Sequence, residues 1–429
     1  MHRLLLALSL ALLACSPASG QSVTGSSIGG FHSPNILLVI VDDIGKSQLD
    51  IYGAASTETT ELDSLESAGV HFTQTITSAV CGASRASMFS GQYGYRTGVG
   101  GPFGTGFDEP TIFHGLHHYG AGVAGKGGLG GAESSTQDWH RFGAEMYGGF
   151  LGPEVTDYTD WEEVSFTATG GVLDAPATVT ASTTYLGDYT TDEAQAQIAA
   201  FEAASNDPWI VVASYATPVH APLHQPPGKS CTPVANCTVD MIDYGDDELT
   251  ELLTSVDLAD TLVIWVSDNG PTPGGTCKGS INDCGINVPM VASGWGVEAT
   301  GAITALISSA DIYATLIEVG QGQQAPSQNI DGCSFMHLLD PTNLNGPSDG
   351  WDSSCTHSIV YATGGSDYVV QDTAGYKLVR NYSTTDALYL LPDETTDLCS
   401  GDCDANLSGA DRTAWTALAA WYTAEGFDL

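Results

Sequence analysis

The sequence predicts an α/β protein with a large mixed, mostly parallel sheet flanked by helices, plus a small C-terminal antiparallel sheet with a helix. Three continuous apolar runs of branched residues, at 35–41, 208–214 and 261–267, indicate buried strands, because strands covered on both faces are apolar throughout. Helical patterns at 192–203 and 246–255 lie between such runs. This alternation of strands and helices is typical of an open α/β sheet.

Weaker patterns complete this prediction. A helix is expected at 61–69 and a short buried strand at 121–124, while 140–190, rich in Gly, Thr and aromatic residues, is interpreted as a long insertion. From residue 357 the chain changes to short strand patterns, which predict the antiparallel sheet, and a last helix is expected at 411–422.

The N-terminal segment has the pattern of an export signal. Arg3 precedes an apolar run from Leu4 to Ala14, which is too short to span a membrane as a mature helix. Two ways of processing it stay open. Leu12-Leu13-Ala14-Cys15 is similar to a bacterial lipobox, which would place a lipid on Cys15, whereas ordinary cleavage would follow Ala18-Ser19-Gly20. The expected location is therefore periplasmic or outer-membrane lipoprotein, or secreted.

Composition suggests four segments along the chain. Residues 1–20 are the signal peptide, 21–33 a small polar tether, 34–356 the main domain and 357–429 a small C-terminal subdomain.

The charge balance is strongly acidic and excludes some partners. The 51 acidic residues outnumber 11 Lys plus Arg, for a formal net charge of −40. Such a surface repels nucleic acid and anionic membranes, so we expect no nucleic-acid partner and membrane attachment only through a lipid on Cys15. Any anion-binding site must be built from local cations.

The ten cysteines of a chain with an export signal indicate disulfides. Spacing does not prove connectivity, but apart from Cys15 and Cys81 the simplest scheme joins near neighbours: Cys231 with Cys237, Cys277 with Cys284, Cys333 with Cys355, and Cys399 with Cys403. Cys81 is left over and needs another explanation.

Polar side chains follow several predicted strands. Asp42 and Asp43 end the first apolar run, and Asp268 and Asn269 follow the run at 261–267. Ligands bind beyond the carboxyl ends of strands in such sheets, and carboxylate and amide oxygens suit Ca²⁺ or Mg²⁺. For Asp42 and Asp43 taken alone, a helix cap or turn is the alternative.

One motif is more specific. Cys81-Gly82-Ala83-Ser84-Arg85 is followed by Phe89-Ser90-Gly91-Gln92-Tyr93 and by Tyr95-Arg96-Thr97-Gly98. It resembles the Cys-x-Pro/Ala-Ser-Arg motif of the type I, formylglycine-dependent sulfatases of the alkaline-phosphatase-like superfamily. The Asp pair, this motif and Ser267 to Gly270 occur in that family's order, and 387–394 is similar to its closing segment. The resemblance covers nearly the whole mature length.

The resemblance implies a covalent mechanism. A formylglycine-generating enzyme would oxidise Cys81 during maturation, and the hydrated aldehyde would attack sulfur through one hydroxyl while the second later expels sulfate. One divalent cation would be held by Asp42, Asp43, Asp268 and Asn269 and act as Lewis acid. The choice between Ca²⁺ and Mg²⁺ stays open, and an exported, oxygen-rich site favours Ca²⁺. The alternative for Cys81 is a free buried thiol.

The resemblance also assigns the cationic groups. Arg85 would hold the formylglycine and the metal ligands, Lys126 and Lys278 would bind the sulfate group, and His220 would contact the ester oxygen and protonate the leaving group. The alternatives are solvent-facing lysines and a turn histidine held between Pro218 and Pro222.

The sequence departs from the family at one point. The family continues Gly-Lys-Trp-His-Leu-Gly, whereas this chain has Gly125-Lys126-Gly127-Gly128-Leu129-Gly130. Gly128 thus stands where the family has a histidine. Three interpretations stay open: turnover is in doubt, another group takes over the role of the histidine, or the glycine pair widens the pocket. The nearby candidates for that role are His114, His117 and His118.

The sequence therefore predicts that residues 34–356 form the catalytic domain of an exported, metal-dependent sulfatase. We expect a sulfuric ester hydrolase acting on a sulfated carbohydrate, with a sulfated small molecule such as an aryl sulfate as the alternative substrate. Two alternatives remain: a phosphonate or phosphate ester hydrolase of the same superfamily, and a non-catalytic homologue that binds sulfated glycans.

Overall fold

The structure is a computed structural model that describes the chain from residue 33 onward with short gaps. The described ranges are 33–54, 59–99, 107–129, 138–152, 155–204, 207–218, 223–231, 237–272, 277–322, 329–341, 356–364, 367–381, 386–400 and 403–425. The expected signal peptide, tether residues 21–32, Cys15 and His220 lie outside these ranges. Across the described residues, the helices are all too short or too polar to cross a bilayer.

The described strands are β1 Asn35–Asp42, β2 Val70–Phe72, β3 Thr75–Ile76, β4 Gly120–Lys126, β5 Met146–Phe150, β6 Trp161–Thr169, β7 Val172–Leu173, β8 Thr178–Ser182, β9 Trp209–Pro218, β10 Thr261–Ser267, β11 Asn287–Val288, β12 Met290–Gly294, β13 Gly301–Ile303, β14 Ile307–Ser308, β15 Ile359–Gly364, β16 Asp367–Asp372, β17 Tyr376–Asn381 and β18 Ala387–Leu390.

The described α-helices are α1 Thr60–Ser67, α2 Cys81–Ser90, α3 Gly94–Thr97, α4 Ile112–Gly115, α5 Asp138–Arg141, α6 Leu186–Ala204, α7 Thr238–Leu253, α8 Asp283–Ile286, α9 Ala310–Val319, α10 Met336–Leu339, α11 Cys403–Asn406 and α12 Gly409–Ala424.

Within the described ranges, eleven strands form one large sheet. Their order is β13-β2-β12-β10-β1-β9-β4-β5-β6-β7, with β8 paired to β6. The five central strands, from β10 to β5, run parallel, while β12 and β6 pair antiparallel to them. The predicted fold class, a mixed and mostly parallel sheet, is confirmed.

The central strand β1 shows why residues 36–41 are apolar throughout. All eight of its residues are buried. Ile36, Leu38 and Ile40 pack into the core on one face, and Leu37, Val39 and Val41 pack into the core on the other. Side chains of a strand alternate between faces, so a strand covered on both sides needs apolar residues at every position.

Helices cover both faces. Residues of α1, α6 and α7 belong to the core that contains Leu37, and residues of α2, α4 and α9 belong to the core that contains Ile36. Within the segment 140–190, interpreted from sequence as a long insertion, strands β5 to β8 extend the large sheet. Their periodicity is weak because β6 is half exposed and β8 is almost wholly exposed.

The C-terminal antiparallel sheet is also present. Strands β15 to β18 pair in sequence order, and α12 packs Leu418 and Tyr422 against Leu378 and Leu388. The described residues from Ser33 onward form one compact unit. The boundary at 356/357 between domain and subdomain stays a prediction.

Three of the expected disulfides are present in the described residues. Cys231 joins Cys237, Cys277 joins Cys284, and Cys399 joins Cys403. Cys333 is disulfide-bonded, but its expected partner Cys355 lies outside the described ranges. Cys81 is the free cysteine of the described part of the chain.

Candidate active site

The register of two neighbouring strands brings the acidic residues together. β1 and β10 are parallel, and Val41 lies opposite Ser267, so Asp42 and Asp268 follow at the same edge of the sheet. The backbone amide of Asp268 donates to the carbonyl of Val41 at 3.0 Å, and Asp42, Asp43, Asp268 and Asn269 are all fully buried.

Asp43 has an unusual backbone conformation. Its φ of 63° lies in the left-handed region, which costs a non-glycine residue about 1–3 kcal/mol. Its carboxylate is strongly engaged: Lys278 Nζ approaches Oδ1 at 2.7 Å and Oδ2 at 2.9 Å, and Asn269 Nδ2 donates to Oδ1 at 2.6 Å.

Helix α2 places Cys81 and Arg85 beside these acids. Cys81 is the first residue of the helix and Arg85 lies one turn later on the same face. Arg85 is fully buried, and its Nε donates to Asp268 Oδ2 at 2.8 Å. Its terminal nitrogens donate to the hydroxyl of Ser214 and, at 3.5 Å, to the carbonyl of Tyr215.

Lys126 enters from the end of β4. Its side chain is fully buried and its ammonium group forms an ion pair with Asp42. Gly125 before it has φ +92°, and a Cβ there would lie 2.3 Å from the carbonyl oxygen of Ser214. Only glycine permits this close approach to β9.

The carboxylates, the cations and Cys81 form one cluster. The thiol of Cys81 and one oxygen each of Asp42 and Asp268 lie within 4.8 Å of one another. Three carboxylates face three cationic side chains, Arg85 with Asp268, Lys126 with Asp42 and Lys278 with Asp43. The cluster is thus balanced in formal charge inside a chain of net charge −40.

Burial dominates the acid–base behaviour of the carboxyls. The pKa of Asp43 is raised to about 7: burial is the largest cause, Asp42 adds to the rise, and Lys278 opposes it. Burial also raises the pKa of Asp268, and Asp42 adds to this while Arg85 opposes it.

Burial likewise raises the pKa of the Cys81 thiol, although Lys126 opposes the shift. For Arg85 and Lys126, burial lowers the pKa, but the neighbouring carboxylates outweigh it and raise both pKa values above their ordinary range. The thiol therefore stays protonated, and both cations stay charged, at neutral pH.

These donors fit a hard divalent cation. Asn269 Nδ2 donates to Asp43 and to the carbonyl of Gly270, whereas Asn269 Oδ1 is buried without a hydrogen-bond partner among the described residues. A buried amide oxygen beside three carboxylates is the donor set that Ca²⁺ and Mg²⁺ take in proteins.

Sequence reasoning missed two site residues. Ser214 Oγ accepts from Arg85 and donates to the carbonyl of Lys126 at 2.6 Å, and the hydroxyl of Thr272 donates to Asp43. Ser214 closes the apolar run 208–214, so its position at the end of a strand predicted from sequence could have revealed it, although β9 continues to Pro218.

Two further sequence hypotheses concern histidines. His220 lies outside the described residues, so its role stays a prediction. His114, His117 and His118 precede the amino end of β4, whereas Lys126 stands at the carboxyl end. The described ring contacts and hydrogen bonds of these histidines are with neighbours such as Thr111 and Tyr119, and not with residues of the acidic cluster.

Gly128, at the family histidine position, lies against the cations. It has φ +73°, and a Cβ there would approach Arg85 Cδ and Lys126 Cε at 3.1 Å each. Any side chain at this position would therefore contact the two buried cations.

Comparison with known proteins shows the family: the chain belongs to the sulfatase family, whose family model, Sulfatase, matches residues 34–322. Bovine (Bos taurus) arylsulfatase A is 28% identical over 357 residues, which cover 71% of this chain and 68% of that protein. Arylsulfatase H from Canis lupus familiaris is 41% identical over 71 residues, but this stretch is 16% of this chain and 13% of the relative.

Solved structures show the same fold. The PsFucS1 sulfatase from Pseudoalteromonas sp. superposes with a TM-score of 0.71 at 19% identity and covers 92% of this chain and 90% of its own. A protein solved in complex with its substrate D-glucosamine-2-N,6-O-disulfate has a TM-score of 0.68 at 15% identity, covering 91% of this chain and 98% of its own.

Proposed function

We propose that this protein is an exported, metal-dependent sulfatase that hydrolyses a sulfate ester through a formylglycine formed from Cys81. One observation carries the proposal. The Cys81 side chain lies within 4.8 Å of carboxylate oxygens of Asp42 and Asp268, in a buried cluster that also contains Arg85 and Lys126.

Cys81 is poorly suited to act as an unmodified nucleophile. The thiolate is the reactive form of cysteine, and burial raises the pKa of this thiol. A hydrated formylglycine would instead present two hydroxyls at the same position. Its formation requires a formylglycine-generating enzyme as a partner during maturation.

The four oxygen ligands provide a place for the cation. Asp42, Asp43, Asp268 and Asn269 would hold it, and the exported, oxygen-rich setting favours Ca²⁺ over Mg²⁺. When bound, the cation supplies Lewis acidity that makes the attacking hydroxyl more acidic.

The cationic side chains bind and orient the ester. Arg85 is held by Asp268 and Ser214, so it presents a fixed charge beside residue 81. Lys126 and Lys278 bind the sulfate oxygens, and their charges count for more in a buried site than in water. His220 protonates the leaving oxygen.

A sulfated carbohydrate is the substrate class we propose. Two proteins with this fold were solved with carbohydrate ligands, the glucosamine disulfate complex and a complex with k-i-k-neocarrahexaose. The disulfides support export, because such bonds persist in oxidising compartments. The route is either a lipid on Cys15 or free secretion.

Mass spectrometry of the tryptic peptide containing residue 81 tests this function. Protein made together with the maturing enzyme should carry an aldehyde there, and protein made without it should carry the thiol. An unmodified thiol in native material would overturn the proposal in favour of a non-catalytic glycan-binding protein. Faster turnover of an aryl phosphonate than of an aryl sulfate would favour the phosphonate hydrolase.

A further inference from the structure

Lys278 is positioned differently from the other charged residues of the site. Asp42, Lys126 and Asp268 stand at or directly after the ends of parallel strands, so the sheet sets their places. Lys278 instead lies in the connection between β10 and α8, and its side chain is 22% exposed. Its position over Asp43 therefore depends on whatever holds this loop.

A disulfide closes that loop. Cys277 and Cys284 are joined with their Cα atoms 5.2 Å apart, and Lys278 directly follows Cys277. Inside the loop, the amide of Ser280 donates to the carbonyl of Cys277 at 2.9 Å. The amide of Lys278 donates to the carbonyl of Pro271, which precedes the loop, at 3.2 Å. The backbone that carries Lys278 is thus confined from both sides.

The loop is also tied to two other parts of the fold. The amide of Gly279 donates to the carbonyl of Ala79 at 2.8 Å, two residues before Cys81. From the C-terminal subdomain, Glu394 accepts from the amide of Asp283 at 2.9 and 2.8 Å. Lys377, 1% exposed, donates to Glu394 and to the carbonyl of Ile281.

This disulfide differs from the other two described disulfides in its exposure. Cys284 is exposed and Cys277 partly exposed, whereas both cysteines of the 231–237 and 399–403 disulfides are buried. A small reductant therefore reaches the bond beside the active site more readily than either of the others.

We propose that the Cys277–Cys284 disulfide, held by Glu394, keeps Lys278 in place to bind the anionic group, so that its reduction weakens anion binding reversibly. The inference rests on the proposed function for the identity of the anion. Lys278 is the binding residue, and the disulfide and Glu394 are positioning elements.

The Cys277–Cys284 disulfide can be reduced by a reagent whose reaction is known in full. With tris(2-carboxyethyl)phosphine, the phosphine takes up the oxygen of one water molecule and passes two electrons to the disulfide. The products are two thiols and one phosphine oxide. After desalting and alkylation with iodoacetamide, mass spectrometry should show Cys277 and Cys284 labelled before Cys231, Cys237, Cys399 or Cys403.

Two measurements report on function. Calorimetry in calcium-containing buffer gives the Kd for inorganic sulfate, and steady-state kinetics on an aryl sulfate gives KM and kcat separately. Reduction of the mature protein, and the double variant Cys277→Ser with Cys284→Ser, should each raise Kd and KM about tenfold, the effect of losing one charge-assisted contact. The matched control is Cys399→Ser with Cys403→Ser, which should leave both values within about twofold of the wild type.

A double-mutant cycle separates positioning from general damage. If the disulfide acts through Lys278, the double serine variant should add little to the effect of Lys278→Ala. Glu394→Ala should raise KM, and Glu394→Gln should restore it in part, because an amide oxygen still accepts from Asp283 while the charge that pairs with Lys377 is lost. Additive effects in the cycle, or an unchanged sulfate Kd after verified reduction, would overturn the inference.

The sulfate measurement keeps the two proposals apart. A wild-type protein that binds sulfate but does not hydrolyse sulfate esters would contradict the proposed activity. The effect of the disulfide on sulfate binding could still be measured with that protein. A wild type with neither property would overturn both.

Discussion

Arg85 and Asp268, 183 positions apart in the chain, form an ion pair in which both side chains are 0% exposed and Nε lies 2.8 Å from Oδ2. The two buried charges are stable there because they neutralise each other and because the hydroxyl of Ser214 accepts a further hydrogen bond from the guanidinium group. The pair connects helix α2, which begins with Cys81, to the carboxyl end of β10. It therefore fixes the distance between the residue proposed for modification and the acidic cluster.

Removal of one partner of this pair should be costly. Arg85→Ala leaves the Asp268 carboxylate buried without its counter-charge, so we expect a loss of about 3–5 kcal/mol in the free energy of unfolding, measured by urea unfolding in EDTA. The control is Arg141→Ala, whose pair with Asp108 is exposed and should cost less than about 1 kcal/mol. Equal losses in the two variants would show that Arg85 is not held as described.

A divalent cation should stabilise the folded protein. Calcium at 100 times its Kd should add about 2.7 kcal/mol to the unfolding free energy, and EDTA should remove this gain. Asp268→Asn should abolish the calcium response, because it removes a carboxylate charge from the cluster. Asp108→Asn, on an 87% exposed side chain, should respond like the wild type. A calcium response that survives in Asp268→Asn would place the cation elsewhere.

Stability should also depend on pH through Glu248, which is 6% exposed. Burial raises the pKa of Glu248 from 4.5 to about 7, against hydrogen bonds from Thr191 and Tyr244. The folded state thus binds this proton more tightly than the unfolded state. Its stabilising effect is complete below pH 4.5 and is lost as the pH rises to about 7.

Glu248→Gln removes this titration, so the wild type should lose stability relative to the variant between pH 4.5 and 7. Urea midpoints at several pH values, with Asp108→Asn as the exposed control, measure the difference. Parallel pH curves for the wild type and Glu248→Gln would contradict the prediction.

Gly128 should not accept a side chain without loss of activity. Gly128→Ala brings a Cβ to 3.1 Å from both Arg85 and Lys126 and adds about 1–2 kcal/mol of backbone strain. Gly53→Ala is the matched control, because Gly53 has φ +94° and a Cβ there would meet nothing within 4 Å. Both variants should lose stability through backbone strain, but only Gly128→Ala should lower kcat on an aryl sulfate. Equal kcat values would show that the space at Gly128 is not needed.

Much of the fold could be predicted from local patterns. β1 and β10 are recognisable because both faces of each are buried, so residues 36–41 and 262–266 are apolar at every position. Helix α6, expected at 192–203, runs from Leu186 to Ala204, since its apolar spacing is clear only in its second half. β6 to β8 are not predicted, because an edge of the sheet that is exposed to solvent carries no continuous apolar run.

The sequence by itself determined which residue types stand at the strand ends, the order of the motifs and the short-range disulfides, because each of these is a property of neighbouring positions. Only the tertiary structure decided which charges meet. Arg85 pairs with Asp268, Lys126 with Asp42 and Lys278 with Asp43 because strand register and a closed loop bring together groups that are distant in the chain. A local pattern contains no information about that register, which is set by how the two cores pack against the sheet.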